Sequence, residues 1–168
     1  AIKTDGSVVT WGHQNFGGNS KVCEPGLKCD DSQTPAIDGG VVSIVATQAA
    51  FAALKADGSI ETWGNQPSGG GGGVWSGNSE ISSVLSTVKN EERFTSIVAT
   101  TGAFAALTQE GNVYAWGNAG SGGNVATSPT GTTKLKDSTV KSVVANGAAF
   151  AALHTDGTVT TWGNIQNG

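Results

Sequence analysis

Four acidic residues recur at matched places in the chain: Asp5, Asp57, Glu110 and Asp156. Recurring carboxylates are the raw material of general acid–base pairs and of calcium sites. Each one, however, is followed directly by glycine (Gly6, Gly58, Gly111 and Gly157) and lies between two apolar runs. An acidic–Gly pair in that setting signals a tight two-residue hairpin turn, because its central positions need positive φ and Asp bonds its own backbone there. The carboxylates are therefore read as turn residues. His13 stands where Asn65, Asn118 and Asn164 stand in the other copies and reads as a solvated loop cap. His154 lies just before a turn and is expected to be exposed. Neither histidine has the further partner that a nucleophile–base–acid relay requires. The glycine run Gly69 to Gly73 lacks the following Lys-Ser/Thr and the helix of a phosphate loop, so it reads as a flexible loop. Cys23 and Cys29 flank Pro25-Gly26. They read either as a disulfide closing a short loop or as two free buried thiols, and neither histidine has the spacing to complete a zinc site with them. No catalytic residue, metal or cofactor is expected.

The elements that hold these residues are repeated. Trp-Gly pairs at Trp11, Trp63, Trp116 and Trp162 are spaced by 52, 53 and 46 residues. At constant offsets before three of them come Ala50-Phe51-Ala52-Ala53-Leu54, Ala103-Phe104-Ala105-Ala106-Leu107 and Ala149-Phe150-Ala151-Ala152-Leu153. Val45-Ala46-Thr47, Val98-Ala99-Thr100 and Val144-Ala145-Asn146 precede those in turn. A glycine falls six residues after every repeated Trp, at Gly17, Gly69, Gly122 and Gly168. Self-similarity of this period defines four units, 1–40 (partial), 41–93, 94–139 and 140–168, and marks a repeat architecture.

Within a unit three strands are legible. The first is a β-branched run such as Ser43-Ile44-Val45-Ala46, and the second is the Ala-rich run after Phe51. The third, typified by Ser59-Ile60-Glu61-Thr62-Trp63, alternates so that Ile60, Val113 and Val159 share one face while Trp takes the other. The segments between units vary in length and are expected to carry a poorly marked fourth strand. Antiparallel blades with a periodic aromatic–Gly mark predict an all-β chain of β-propeller blades, about 3.5 repeats of 46–53 residues. Such an arc is an incomplete ring, or one that a partner completes. Each repeated Trp is expected to fill the space against a neighbouring blade, and the alanines to relieve crowding near the axis.

The stretch from Ala50 to Gly64 resembles the repeat of the regulator-of-chromosome-condensation family. That family's form is an apolar strand with Ala-Leu-x-x-Asp-Gly-x-Val-(Tyr/Phe)-x-Trp-Gly-x-Asn-x-x-Gly, and Asn112-Val113-Tyr114-Ala115-Trp116-Gly117 is similar to it. The chain departs where the family places His before Ala-Leu, and it has Gly-Gly in place of the Gln-Leu before the final glycine. The resemblance implies a propeller of about seven blades. Family members act in nucleotide exchange on a small GTPase, in chromatin docking, as ubiquitin-ligase accessories and as β-lactamase inhibitors. No loop motif here selects one of these.

Composition narrows the function classes. With 9 basic against 13 acidic residues the net charge is −4, which gives no electrostatic footprint for nucleic acid. No apolar run is long enough to span a membrane as a helix. Five tryptophans and five phenylalanines exclude a disordered acidic tail. The chain has no Met and begins at Ala1, so either a leader was removed or it is part of a longer polypeptide or larger assembly. With the candidate disulfide, this favours an extracytoplasmic location, although no Asn begins a glycosylation sequon. Trp75 lies outside the repeat between glycines, and reads either as tucked over a blade rim or as a contact for a partner or sugar. Phe16 and His13 are weaker partner-binding candidates. Lys134, Lys136 and Lys141 form a solvated basic face. The expected function is a non-enzymatic protein–protein interaction or scaffold module, bound to a protein partner, to additional blades or to a second copy. The alternative is a carbohydrate-binding, lectin-like propeller.

Overall fold

The computed structural model describes residues 1–18, 37, 39–70, 93–124, 134–135, 140–164 and 166. The chain is all-β. The second unit folds as β1 (Val41–Ala46), β2 (Ala50–Lys55) and β3 (Ile60–Gly64). The third supplies β4 (Phe94–Ala99), β5 (Ala103–Thr108), β6 (Val113–Gly117) and β7 (Lys134–Leu135), and the fourth β8 (Val140–Ala145), β9 (Ala149–His154) and β10 (Val159–Gly163). Among the described residues each of these units is an antiparallel meander in sequence order, with three strands in the second and fourth and four in the third. Short 3-10 turns follow the Trp-Gly pairs at Gln14–Phe16, Gln66–Ser68 and Ala119–Ser121.

The first unit keeps only its later strands, as single bridges from Ile2 to Val8 and from Val8 to Ile37. Ile37 pairs with Val8 as Leu135 of β7 pairs with Val113. The expected fourth strand is therefore present in the third unit, and the first has a bridge at the same place. In the second unit that segment lies outside the described residues.

The acidic–Gly hairpins differ from the two-residue turn that the sequence suggests. Lys55 N–H donates to Ser59 C=O and Gly58 N–H donates to Lys55 C=O, both at 2.9 Å, which closes a three-residue loop, Ala56 to Gly58. Only its last residue needs the left-handed conformation, and Gly58 has φ +81°. This is the signature of a type I turn followed by a one-residue bulge. The Asp57 carboxylate accepts from Ser59 N–H (2.9 Å) and from the Ser59 hydroxyl (2.6 Å), which fixes the turn ahead of the glycine. Asp5 and Asp156 make the same pair of bonds to Ser7 and Thr158.

Neighbouring sheets pack face against face, and the core lies between them. One face of the second unit (Ala50, Ala52, Leu54, Ile60) shares a buried cluster with Phe94, Ile97, Phe104 and Trp116 of the third. The same pattern recurs one step on, with Ala103, Ala105, Leu107 and Val113 against Val140, Val143, Phe150 and Trp162. Ala50, Ala52, Ala103 and Ala105 thus lie on middle strands facing the aromatic pair of the next unit, and their small size makes room for those rings.

Candidate interaction surface

Every repeated Trp from the second unit onward sits in a socket built by two units. The Trp63 indole N–H donates to Gly17 C=O at 3.2 Å, Trp116 to Gly69 C=O at 3.2 Å, and Trp162 to Gly122 C=O at 3.1 Å. Within its own sheet each indole stacks on the Phe directly across the ladder. The ring centroids of Phe51–Trp63, Phe104–Trp116 and Phe150–Trp162 are 5.4, 5.4 and 5.3 Å apart. The glycine six residues after Trp is therefore the wall of the following unit's socket. A Cβ on Gly69 would stand 2.7 Å from the Phe104 ring, and the glycine's φ of +91° already disfavours any side chain. The sequence displays this glycine, but its partner one unit away is visible only in three dimensions.

Trp11 departs from the expected burial. It is 73% exposed, against 8%, 2% and 6% for Trp63, Trp116 and Trp162. The physical reason is that, among the described residues, no strand carries a Phe opposite Trp11 and no carbonyl accepts from its indole. Ala1 and Ile2 pair with Val9 and Val8, and that pairing does not reach Trp11.

The fourth unit differs from the second and third in the burial of its matching face. Val159 is 61% exposed, whereas its counterparts Ile60 and Val113 are covered by the next unit. Val144 and Leu153 on the same sheet are also exposed, while Leu54 and Leu107 are buried. Backbone groups repeat the contrast. The turn carbonyls of Gly6, Gly58 and Gly111 accept from Val41, Phe94 and Val140 N–H of the next unit at 3.0–3.1 Å, and Gly157 has no such neighbour among the described residues. Sequence reasoning missed Val144, Leu153 and Val159. The signal was present, since they align with the residues that each following unit covers.

Among the described residues the titratable groups do not cluster into a reaction centre. Hydroxyl and then backbone hydrogen bonds from Ser7, Ser59 and Thr158 hold the Asp5, Asp57 and Asp156 carboxyls below the ordinary Asp value. These carboxylates lie one per turn, and among the described residues no three His, Cys, Asp or Glu side chains come together to hold a metal. His13 is exposed. Its Nδ1 accepts from Asn15 N–H at 3.2 Å, as Asn164 Oδ1 accepts from Gln166 N–H at 2.9 Å, so it does cap the loop. Its ring lies 5.3 Å from that of Phe16, itself exposed, so these two predicted contact residues form one small surface patch. His154 is half-buried rather than exposed, with Nε2 2.9 Å from Thr160 Oγ1. Lys141 is exposed on β8. Trp75, Cys23, Cys29 and Lys136 lie outside the described residues. Among the described residues no helix is long and apolar enough to cross a membrane.

No family model matches the chain, and no curated protein matches it in sequence. Solved structures do. Human WBSCR16 superposes with a TM-score of 0.61 at 16% identity, over 91% of this chain and 41% of that one. Prp20p from Saccharomyces cerevisiae, described with its binding to Gsp1p and histones, gives 0.56 at 20% identity over 75% and 33%. Yeast RCC1 (Prp20) bound to Kap60 gives 0.58 at 19% identity over 91% and 38%. The chain spans less than half the length of each. These likenesses establish the fold: consecutive blades of an RCC1-type β-propeller.

Proposed function

We propose that the chain is a non-enzymatic protein-interaction or scaffold module, and that the sheet face of its fourth unit is covered by a further blade or by a protein partner. The observation that carries this reading is the exposure of Val144, Leu153 and Val159 on a face whose two internal copies are buried against another blade. Contiguous apolar surface of this kind marks association sites on folded proteins. Protein partners named for Prp20p and yeast RCC1 support an interaction role for the fold. A lectin site recurring once per repeat would need its indole accessible, and Trp63, Trp116 and Trp162 are buried, so that alternative gains no support.

The test is retention of proteins from the native source on the immobilised chain, with the double variant Leu153→Asp/Val159→Asp as control. A partner held by the wild type and released by the variant is the expected result. Retention indifferent to the variant, or multivalent glycan binding, overturns the reading. The proposal extends to membership of a larger assembly and to an extracytoplasmic location, which rests on the Cys23–Cys29 pair. Labelling of the native protein with a thiol reagent before and after reduction tests the location: free thiols in the unreduced protein count against it.

A further inference from the structure

The loop between β8 and β9 is built from residues that differ from its two sister copies. In the second and third units a threonine holds this loop: Thr47 Oγ1 accepts from Ala50 N–H and Thr100 Oγ1 from Ala103 N–H, both at 3.0 Å. The fourth unit uses Asn146, whose Oδ1 accepts from Ala148 and Ala149 N–H at 2.8 Å each. The next position is Gln48, Thr101 and Gly147 in turn, and it is exposed in all three, including the two units with a neighbour on either side. Only the fourth copy therefore joins an amide side chain to a glycine, and among the described residues no other Asn precedes a glycine. That pair is reactive, because no side chain on Gly147 shields its nitrogen from the Asn146 amide carbon. The two N–H donors on Oδ1 polarise that carbonyl and are placed to hold the charge that forms on it during attack. Asp5, Asp57 and Asp156 also precede glycines, but hydrogen bonds hold their carboxyls below the ordinary Asp value, and an ionised carboxylate is a poor electrophile.

We propose that Asn146-Gly147 is a spontaneous modification site, where the asparagine converts to aspartate and isoaspartate and the joint between the third and fourth units loosens. The Gly147 nitrogen gives its proton to hydroxide and bonds to Asn146 Cγ. The Cγ–Nδ2 bond then breaks, and ammonia leaves with a proton taken from water. Water opens the resulting cyclic imide at either carbonyl. Opening at the side-chain carbonyl leaves aspartate, whose carboxylate keeps the bonds from Ala148 and Ala149 N–H and strengthens them by its charge. Opening at the main-chain carbonyl leaves isoaspartate, with the chain running through Cβ and Cγ and so lengthened by one atom. The lengthening acts on Gly147, whose C=O accepts from both the N–H and the hydroxyl of Thr101 in the third unit, at 3.0 and 2.7 Å. A chemical change in one loop is thereby read out at the contact between two units. This inference does not depend on what covers the fourth unit.

The test is to hold the purified protein at mildly alkaline pH and follow it by mass spectrometry of its peptides. The expected result is a gain of about 1 Da that fragment ions place at position 146, with methyl transfer to that site by an isoaspartyl methyltransferase. Asn146→Thr, which copies the third unit's cap, is expected to abolish the change. Gly147→Ala puts a Cβ where nothing stands within 4 Å, at a position that is Thr101 and Gln48 in the sister loops. It is expected to slow the change at least about tenfold. In the isoaspartate form, amide hydrogen exchange is expected to be faster at Thr101 and unchanged at Gln48, whose N–H bonds to Thr101 C=O one joint earlier. Fragment ions also separate position 146 from Asn167, whose Asn-Gly pair lies outside the described residues. An unchanged position 146, equal rates in the wild type and Gly147→Ala, or an isoaspartate form in which Thr101 keeps its protection would overturn the proposal.

Discussion

Phe104 lies across the ladder from Trp116 with the ring planes 28° from parallel, and the indole N–H of Trp116 ends on the Gly69 carbonyl of the preceding unit. One side chain thereby ties its own sheet together and its sheet to the next. Trp116→Ala is expected to lower stability by about 3–5 kcal/mol, the usual result of emptying a buried aromatic site. Trp11→Ala, chemically the same change, is expected to stay within about 0.5 kcal/mol, because its indole is largely in water. Denaturant midpoints of the two variants check the contrast.

The Asp–Ser and Asp–Thr turns make a prediction about pH. A carboxyl whose folded pKa is depressed contributes stability that is present above its unfolded pKa and is lost as pH falls through the folded value. For Asp5, Asp57 and Asp156 that window lies on the acid side of the ordinary Asp range, and the effect is small because all three are solvent-exposed. Carboxyl resonances titrated by NMR are expected to show all three below the value for Asp in a peptide. Ser59→Ala is expected to move Asp57 back upward and to leave Asp5 and Asp156 where they are.

Two turn glycines with the same backbone separate local strain from contact between units. Gly58 and Gly157 have φ of +81° and +88°. A Cβ at Gly58 would stand 2.7 Å from Arg93 Cβ and 3.0 Å from its Cα, whereas at Gly157 it meets nothing within 4 Å. Gly157→Ala is expected to cost about 1–2 kcal/mol from the left-handed conformation alone. Gly58→Ala is expected to cost more, because the start of β4 must also shift. Thermal unfolding of the pair measures the difference.

Thr62 is buried, and its hydroxyl has no hydrogen-bond partner, while Ala115 fills the same position one unit on. Burying an unpaired hydroxyl costs about 1–3 kcal/mol. Thr62→Val keeps the shape and is expected to raise stability by about 1 kcal/mol, read from the shift in denaturant midpoint. A loss of stability would mean that the hydroxyl has a partner.

The strands were legible because the repeat shows each one three times. The Ala50–Lys55, Ala103–Thr108 and Ala149–His154 strands carry the same Ala-Phe-Ala-Ala-Leu, and a period-two pattern placed Ile60 and Trp63 on opposite faces. The turn type was less legible. Asp-Gly is common to two-residue and three-residue hairpins, and the longer loop shows only in the hydroxyl two residues after the Asp, which the carboxylate holds. Trp11 shows the deeper limit. A motif records what a residue is, whereas burial depends on the unit beside it, and among the described residues nothing flanks Trp11 as Phe104 and Gly69 flank Trp116.

All conserved geometry between sheets is concentrated in a fixed frame. It runs from the first strand through the Trp-Gly pair to the left-handed glycines at 17, 69 and 122, whose φ values agree within 8°. The same glycines stand against the Phe rings of the following unit, so each marks a joint between units as well as the end of one. A sequence change inside that frame is therefore felt by two units at once, because each of these glycines belongs to one unit by chain and to the next by packing.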